Sequence, residues 1–403
     1  MSRRAALLLG VGLSACARSA APSSLQHVAG AVPASPAAAT RVAAPASPEE
    51  AIASIQETLQ RQAAARAAGD KAAYMAAVDQ TDLTWRRIQG EVFDADTAVK
   101  APQPTYTAAR ARPKQGDYYK AWIDITPPGA AAPTRYAVWI FRRTDGGWLL
   151  SEIPYTELGT RKTLDTDHFR LNRFTWDDDV VEGAGRVAER AYATVREKLG
   201  TAPSFRAIVS LNPTYGSHSG LRGRDTLAAY LPDTKNMILL RSPECFGAGE
   251  VPVGQTPEDH LLYPFTHEYT HLVNDQIVPV VKMTQWMAEG LAEYVAGNLR
   301  EAEVRQAFRS GREVSLDKAD EIIEWKTDPA KGYTVGQVSL SYGEAAFAVA
   351  YFIERFGQEM FWQLARTYAE SRRWPDSFSA TTGITWGQFQ ADWTRWFRQR
   401  LGV

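Results

Sequence analysis

His267-Glu268-Tyr269-Thr270-His271 is the stretch of this chain richest in chemistry. On a helix, residues four apart share a face at a separation of about 5–6 Å. His267 and His271 can therefore offer both imidazoles to one metal ion. Glu268 sits beside the first histidine, where a carboxylate reaches a metal-bound water. A catalytic zinc takes three protein ligands and keeps one open position, so one donor is missing from this segment. Downstream, Trp286-Met287-Ala288-Glu289-Gly290-Leu291-Ala292-Glu293-Tyr294 forms a second helix-like stretch, and Glu289 is the donor it offers.

The pair HExxH plus WMAEGLAEY resembles the gluzincins, a class of zinc metallopeptidases, and within them the bacterial peptidase MA-like group, whose second motif reads WLxEGLAxY. The resemblance implies one Zn2+ ion held by His267, His271 and Glu289, with Glu268 as general base and Glu293 orienting a ligand histidine. The interval between His271 and Glu289 is slightly shorter than in the better-known gluzincins. That leaves Glu293, one turn on, as the alternative third ligand, while the Glu-Gly pair favours Glu289.

With zinc in place, water is activated and a carbonyl polarised. Glu268 takes the water's proton and passes it to the leaving amine. The oxyanion that forms needs a second donor beside the metal. Tyr342, expected at the head of an apolar helix, is the first choice, with Tyr333 and His218 as competitors. The other histidines have no such company. His27 and His168 lie apart, and Pro264 is expected to break the helical register between His260 and His267.

What surrounds this segment bounds its setting. At 403 residues the chain is long enough for two domains, and 45% hydrophobic and 11% aromatic content supports packed cores. Formal net charge is −1, from 45 basic and 46 acidic side chains. Nucleic-acid binding rests on concentrated positive charge, so nucleic acid is excluded as an expected partner. Ser2-Arg3-Arg4 followed by an apolar run to Ala15 describes a secretory signal over residues 1–15, too short to span a bilayer. Its Leu13-Ser14-Ala15-Cys16 ending resembles a bacterial lipobox, which implies cleavage before Cys16 and a lipid anchor on that cysteine. Ala17 after it points to the outer membrane in a cell that has one. Cys245 is then alone, without an intrachain disulfide, and reads as a buried thiol.

Residues 16–47, rich in Ala, Pro and Ser, read as a flexible tether. From Ser47 a capped helix begins at Pro48, with a second over Lys71–Val78. Strands follow near Tyr106–Ala111, Tyr118–Ile125, Tyr136–Arg142 and Trp148–Ile153, separated by Pro-Gly and Asp-Gly-Gly turns. Helices followed by a meander make residues 48–160 an α+β unit. Their order resembles the nuclear-transport-factor-like (SnoaL-like) cone, with Trp85, Trp122, Trp139 and Trp148 as lining. Asp165–Asp179 reads as an acidic connector.

The second domain, residues 165–403, is then expected to be zincin-like and mostly helical, with a small sheet. Val180–Leu199 reads as a helix stopped at Gly200, and Phe205–Leu211 and Met237–Leu240 as strands. Asn236–Arg241 is placed as the edge strand on which a peptide substrate would pair. Gly216, Gly220 and Gly223 mark a loop over the cleft. Ala302–Phe308, Asp317–Trp325, Tyr342–Phe356, Met360–Tyr368 and Trp386–Arg400 read as helices, the last docking through Phe389, Trp393, Trp396 and Phe397. The fold class is α+β. The function expected is an extracytoplasmic, membrane-tethered zinc endopeptidase acting on peptides or proteins. A non-catalytic metal-binding envelope lipoprotein is the alternative.

Overall fold

The computed structural model describes residues 47–98, 102–214, 227–234, 236–245 and 250–403. The signal expected over residues 1–15, the tether expected over 16–47 except Ser47, Cys16 and His27 within it, His218 and the three glycines of the expected cleft loop lie outside them.

The Ser47 hydroxyl accepts from the Glu50 N–H and starts α1 (Pro48–Ala68), which Gly69 ends in the left-handed conformation at φ +68°. α2 (Lys71–Ala76) follows, and then α3 (Leu83–Ala98), a helix the sequence reading lacks. Trp85, Ile88, Val92 and Phe93 give α3 its buried face. Four antiparallel strands come next: β1 (Thr105–Gln115), β2 (Tyr118–Thr126), β3 (Arg135–Thr144) and β4 (Gly147–Ser151). Ile55 and Leu59 of α1 share one core with Trp85, Ile123, Trp139, Trp148 and Leu150. Trp122 is the exception among the four tryptophans: it is half-buried, with the Arg110 guanidinium 3.7 Å from its ring centre.

The segment expected as an acidic connector is a hairpin. β5 (Arg161–Asp165) and β6 (Phe169–Phe174) pair antiparallel and open a second sheet. Phe169 and Leu171 alternate inward with exposed Arg170 between them, the period of a half-buried strand. The flanking aspartates hid that alternation. After α4 (Val181–Leu199), the strands β7 (Ala207–Asn212), β8 (Ala228–Leu231) and β9 (Met237–Arg241) complete the order β5-β6-β7-β9-β8. β9 is parallel to β7 and antiparallel to β8. Asn236–Arg241 is therefore not the edge: β8 holds that place, because the chain enters it before turning back into the sheet. β10 (Val251–Pro252) then returns to pair with Tyr136 and Arg135 of β3, tying the first sheet to the second half of the chain.

The rest is helical: α5 (Pro257–Asp275), α6 (Gln285–Ala296), α7 (Glu301–Ser310), α8 (Leu316–Glu324), α9 (Val335–Phe356), α10 (Gln358–Ser371), α11 (Trp374–Thr382) and α12 (Trp386–Leu401). α11 was not anticipated. α9 starts at a Thr334–Gln337 capping box, so Tyr342 lies about two turns inside it instead of heading it. Phe389, Trp393 and Phe397 of α12 are buried and Trp396 half-buried, the docked face read from sequence. Among the described residues no helix is long and apolar enough to cross a membrane.

Candidate metal centre

α5 is set by its start. Thr256 and Asp259 form a capping box, Pro257 takes the first turn, and Arg186 and Arg190 of α4 bind Glu258 and Asp259. The helix runs through Pro264, which removes one backbone donor without breaking the register. The expected interruption is thus absent, and His260 lies in the first turn of the same helix. Tyr269 packs on Phe169, and the Thr270 hydroxyl donates back to the Thr266 carbonyl, so both face away from the histidines' ring edges.

His267 and His271 are fully buried, with their Nε2 atoms 3.1 Å apart. From α6, Glu289 brings Oε2 to 3.0 Å of His267 Nε2 and 3.3 Å of His271 Nε2. Among the described residues this is the group of His, Cys, Asp or Glu side chains whose donor atoms converge, all within 4.8 Å. Two imidazole nitrogens and one carboxylate oxygen, all buried, match the donor chemistry of zinc. Burial alone would raise the Glu289 carboxyl; the charge of Lys326 and the hydrogen bonds to both histidines outweigh it and hold it well below the usual carboxylate range.

Glu293, one turn along α6, faces the other side of His267. Its Oε1 lies 3.5 Å from His267 Nδ1 and accepts from the Tyr263 hydroxyl at 2.7 Å and Arg300 Nη2 at 2.9 Å. His267 Nδ1 makes no hydrogen bond among the described residues, and Glu293 is the carboxylate that approaches it. Of the two candidates for third ligand, Glu289 meets the Nε2 atoms, and Glu293 lies on the Nδ1 side of His267. Arg300 holds a left-handed backbone at φ +49° to deliver its guanidinium.

Glu268 projects toward the edge strand. Its Oε2 accepts from the Tyr230 backbone N–H of β8 at 2.7 Å, while Oε1 is buried with no hydrogen-bond donor among the described residues.

Residues 263–399 match the Peptidase MA superfamily. The span holds the three converging donors, Glu268, Glu293 and Tyr342. No curated protein matches the chain. A solved structure, a mutant of the M1 zinc metallopeptidase from Deinococcus radiodurans, is similar at 13% identity and a TM-score of 0.27 over 72% of this chain. The chain covers 61% of that protein's length.

Within residues 263–399, Tyr342 is buried on α9, its ring centre 6.4 Å from that of His267. Lys326, just past the end of α8, donates to the Tyr342 hydroxyl and lies 3.4 Å from Glu289 Oε1. Tyr333 is turned elsewhere, donating to Glu321. His168 pairs with Glu189. Cys245 is buried beside Arg241 and Glu152, apart from the metal donors. Sequence reasoning missed Lys326, Tyr263, Arg300 and Tyr230. Tyr263, one turn before His267, was open to a helical-face reading once α5 is known to pass Pro264. Nothing in local spacing marks the other three.

Proposed function

We propose that this chain is a zinc-dependent peptidase of gluzincin type that hydrolyses peptide bonds in peptides or proteins. The observation that carries the reading is the convergence of His267, His271 and Glu289 beside Glu268, whose Oε1 is buried and has no hydrogen-bond donor among the described residues. The three donors would hold one zinc ion, which when bound supplies Lewis acidity and a water activated at neutral pH.

The chain's own residues supply the rest. The Tyr230 N–H anchors Glu268 Oε2, so Oε1 is the atom left to take a proton from water and return it to the leaving amine. Tyr342 would supply the hydroxyl that stabilises the oxyanion. β8, the edge strand beside the general base, is where an extended peptide would add its backbone. Endopeptidase action is part of the proposal, since no acidic clamp for a substrate amino terminus is recognised in the sequence. So is an extracytoplasmic location, with a lipid on Cys16 as the tether and the first α+β unit as a SnoaL-like accessory domain.

Glu268→Gln keeps the shape of the side chain and removes the base. Expected are retained zinc and a loss of cleavage of unstructured protein substrates by about 10³-fold, within the usual range for a general base. Undiminished cleavage by zinc-loaded Glu268→Gln would overturn the mechanism.

A further inference from the structure

One cation touches both halves of the centre. Lys326 is buried, its side chain 8% exposed, and reaches it from the turn after α8. Its ammonium donates to the Tyr342 hydroxyl on α9 and lies 3.4 Å from Glu289 Oε1 on α6. Taking an ammonium out of water costs several kcal/mol unless paired, and Glu289 is the carboxylate that compensates it.

We propose that Lys326 is a positioning residue that sets the third metal ligand and the oxyanion donor with one side chain. This rests on the zinc-peptidase reading of the site. The geometry acts in two directions. With Oε1 facing Lys326, the Glu289 carboxylate presents Oε2 alone to His267 and His271, so it serves through one oxygen. A phenol hydroxyl carries one proton. The ammonium donates to its oxygen, and the neighbouring positive charge makes the hydroxyl a stronger donor. Lys326 therefore acts through Tyr342 on the developing oxyanion and through Glu289 on the metal. The lysine's flexible stem suits it to reach from a third element, which a shorter polar side chain would not span.

The test uses the full chain carrying Lys326→Met and Lys326→Arg beside wild type and Glu268→Gln. Zinc content, the visible absorption of the cobalt-substituted protein, kcat and KM are read. Lys326→Met should keep one zinc per chain yet alter the cobalt spectrum, as the freed carboxylate engages through both oxygens. Its kcat should fall about 10²-fold with KM within a few fold, the size expected for a compromised oxyanion donor. Lys326→Arg, which keeps charge and donors, should restore the spectrum and part of the rate. If Lys326→Met fails to fold, Lys326→Gln takes its place. A neutral variant with wild-type cobalt spectrum and kcat would overturn the proposal, as would loss of zinc, which makes Lys326 part of metal retention. If wild type and Glu268→Gln cleave equally, the peptidase reading fails by itself, and the cobalt spectrum still decides whether Lys326 sets Glu289.

Discussion

Gly290 and Ala345 touch backbone to backbone: a Cβ placed on Gly290 would lie 2.6 Å from the Ala345 carbonyl oxygen and 2.8 Å from its carbon. That contact lets α6 and α9 approach so closely that Glu289 and Tyr342, borne by the two helices, meet at one lysine. The glycine after the ligand glutamate is there for helix packing, as a small residue where no side chain fits. Gly290→Ala must push the helices apart, an overpacking cost of about 1–3 kcal/mol. We expect a lower unfolding midpoint in urea together with weaker zinc binding, measured by competition with a chelator. A variant with wild-type midpoint and zinc affinity would show that the helices separate without cost.

Glu293 Oε1 lies 3.5 Å from His267 Nδ1, and Tyr263 and Arg300 both donate to that oxygen. Glu293→Gln should leave the chain folded and cut zinc affinity by about 10–100-fold, the usual effect of losing a partner that orients a ligand. Arg300→Met strands the buried Glu293 carboxylate without its cation. It should therefore cost stability as well, about 3 kcal/mol. Equal zinc affinity in wild type and Glu293→Gln would remove the orienting role.

The helix-borne part of the centre was legible because its information is local. His267, Glu268 and His271 sit at one helical spacing, and Glu289 and Glu293 are one turn apart on the next amphipathic stretch. The docked face of α12 was readable for the same reason. What failed was non-local. Lys326 arrives from a turn, Arg300 from a left-handed residue before α7, and Tyr230 acts through its backbone, so no side-chain pattern announces any of them. Strand order failed likewise: β8 and β9 are both short apolar runs, and only the sheet's return path decides which is outermost. Pro264 misled in the other direction, since α5 has enough buried neighbours to carry a missing hydrogen bond.

Zinc should stabilise the folded chain, because the three donors converge only when α5 and α6 are packed. A ligand bound to the native state alone adds about 4 kcal/mol at a thousandfold excess over Kd. Chelation should lower Tm by several degrees, and added zinc should restore it. His271→Ala, one donor short, should melt at nearly the same temperature with and without zinc. Identical Tm values for zinc-loaded and chelated wild type would mean that the donors hold no metal in the folded chain.

Asp177 lies buried where the second sheet meets the first. It neighbours Lys114 and Asp179, in a cluster where Lys114 and Lys120 also bind Glu244. Burial pushes its carboxyl up from 3.8 to about 6, with Ser242 and Lys114 offsetting part of the rise. The folded chain therefore holds this proton more tightly than the unfolded one. The stability that proton contributes is fully present below about pH 4 and is lost as pH rises through 6. Asp177→Asn fixes the neutral form. It should match wild type near pH 4 and gain on it up to pH 6. Above that it should stay ahead by at most roughly 3 kcal/mol. Burial lowers Lys120 to about 8, so this lysine is charged below that pH in both proteins and leaves their difference untouched. Urea unfolding of the pair at pH 5 and pH 7 measures the effect, and a variant no more stable than wild type at pH 7 would show that the Asp177 charge is met in full where it lies.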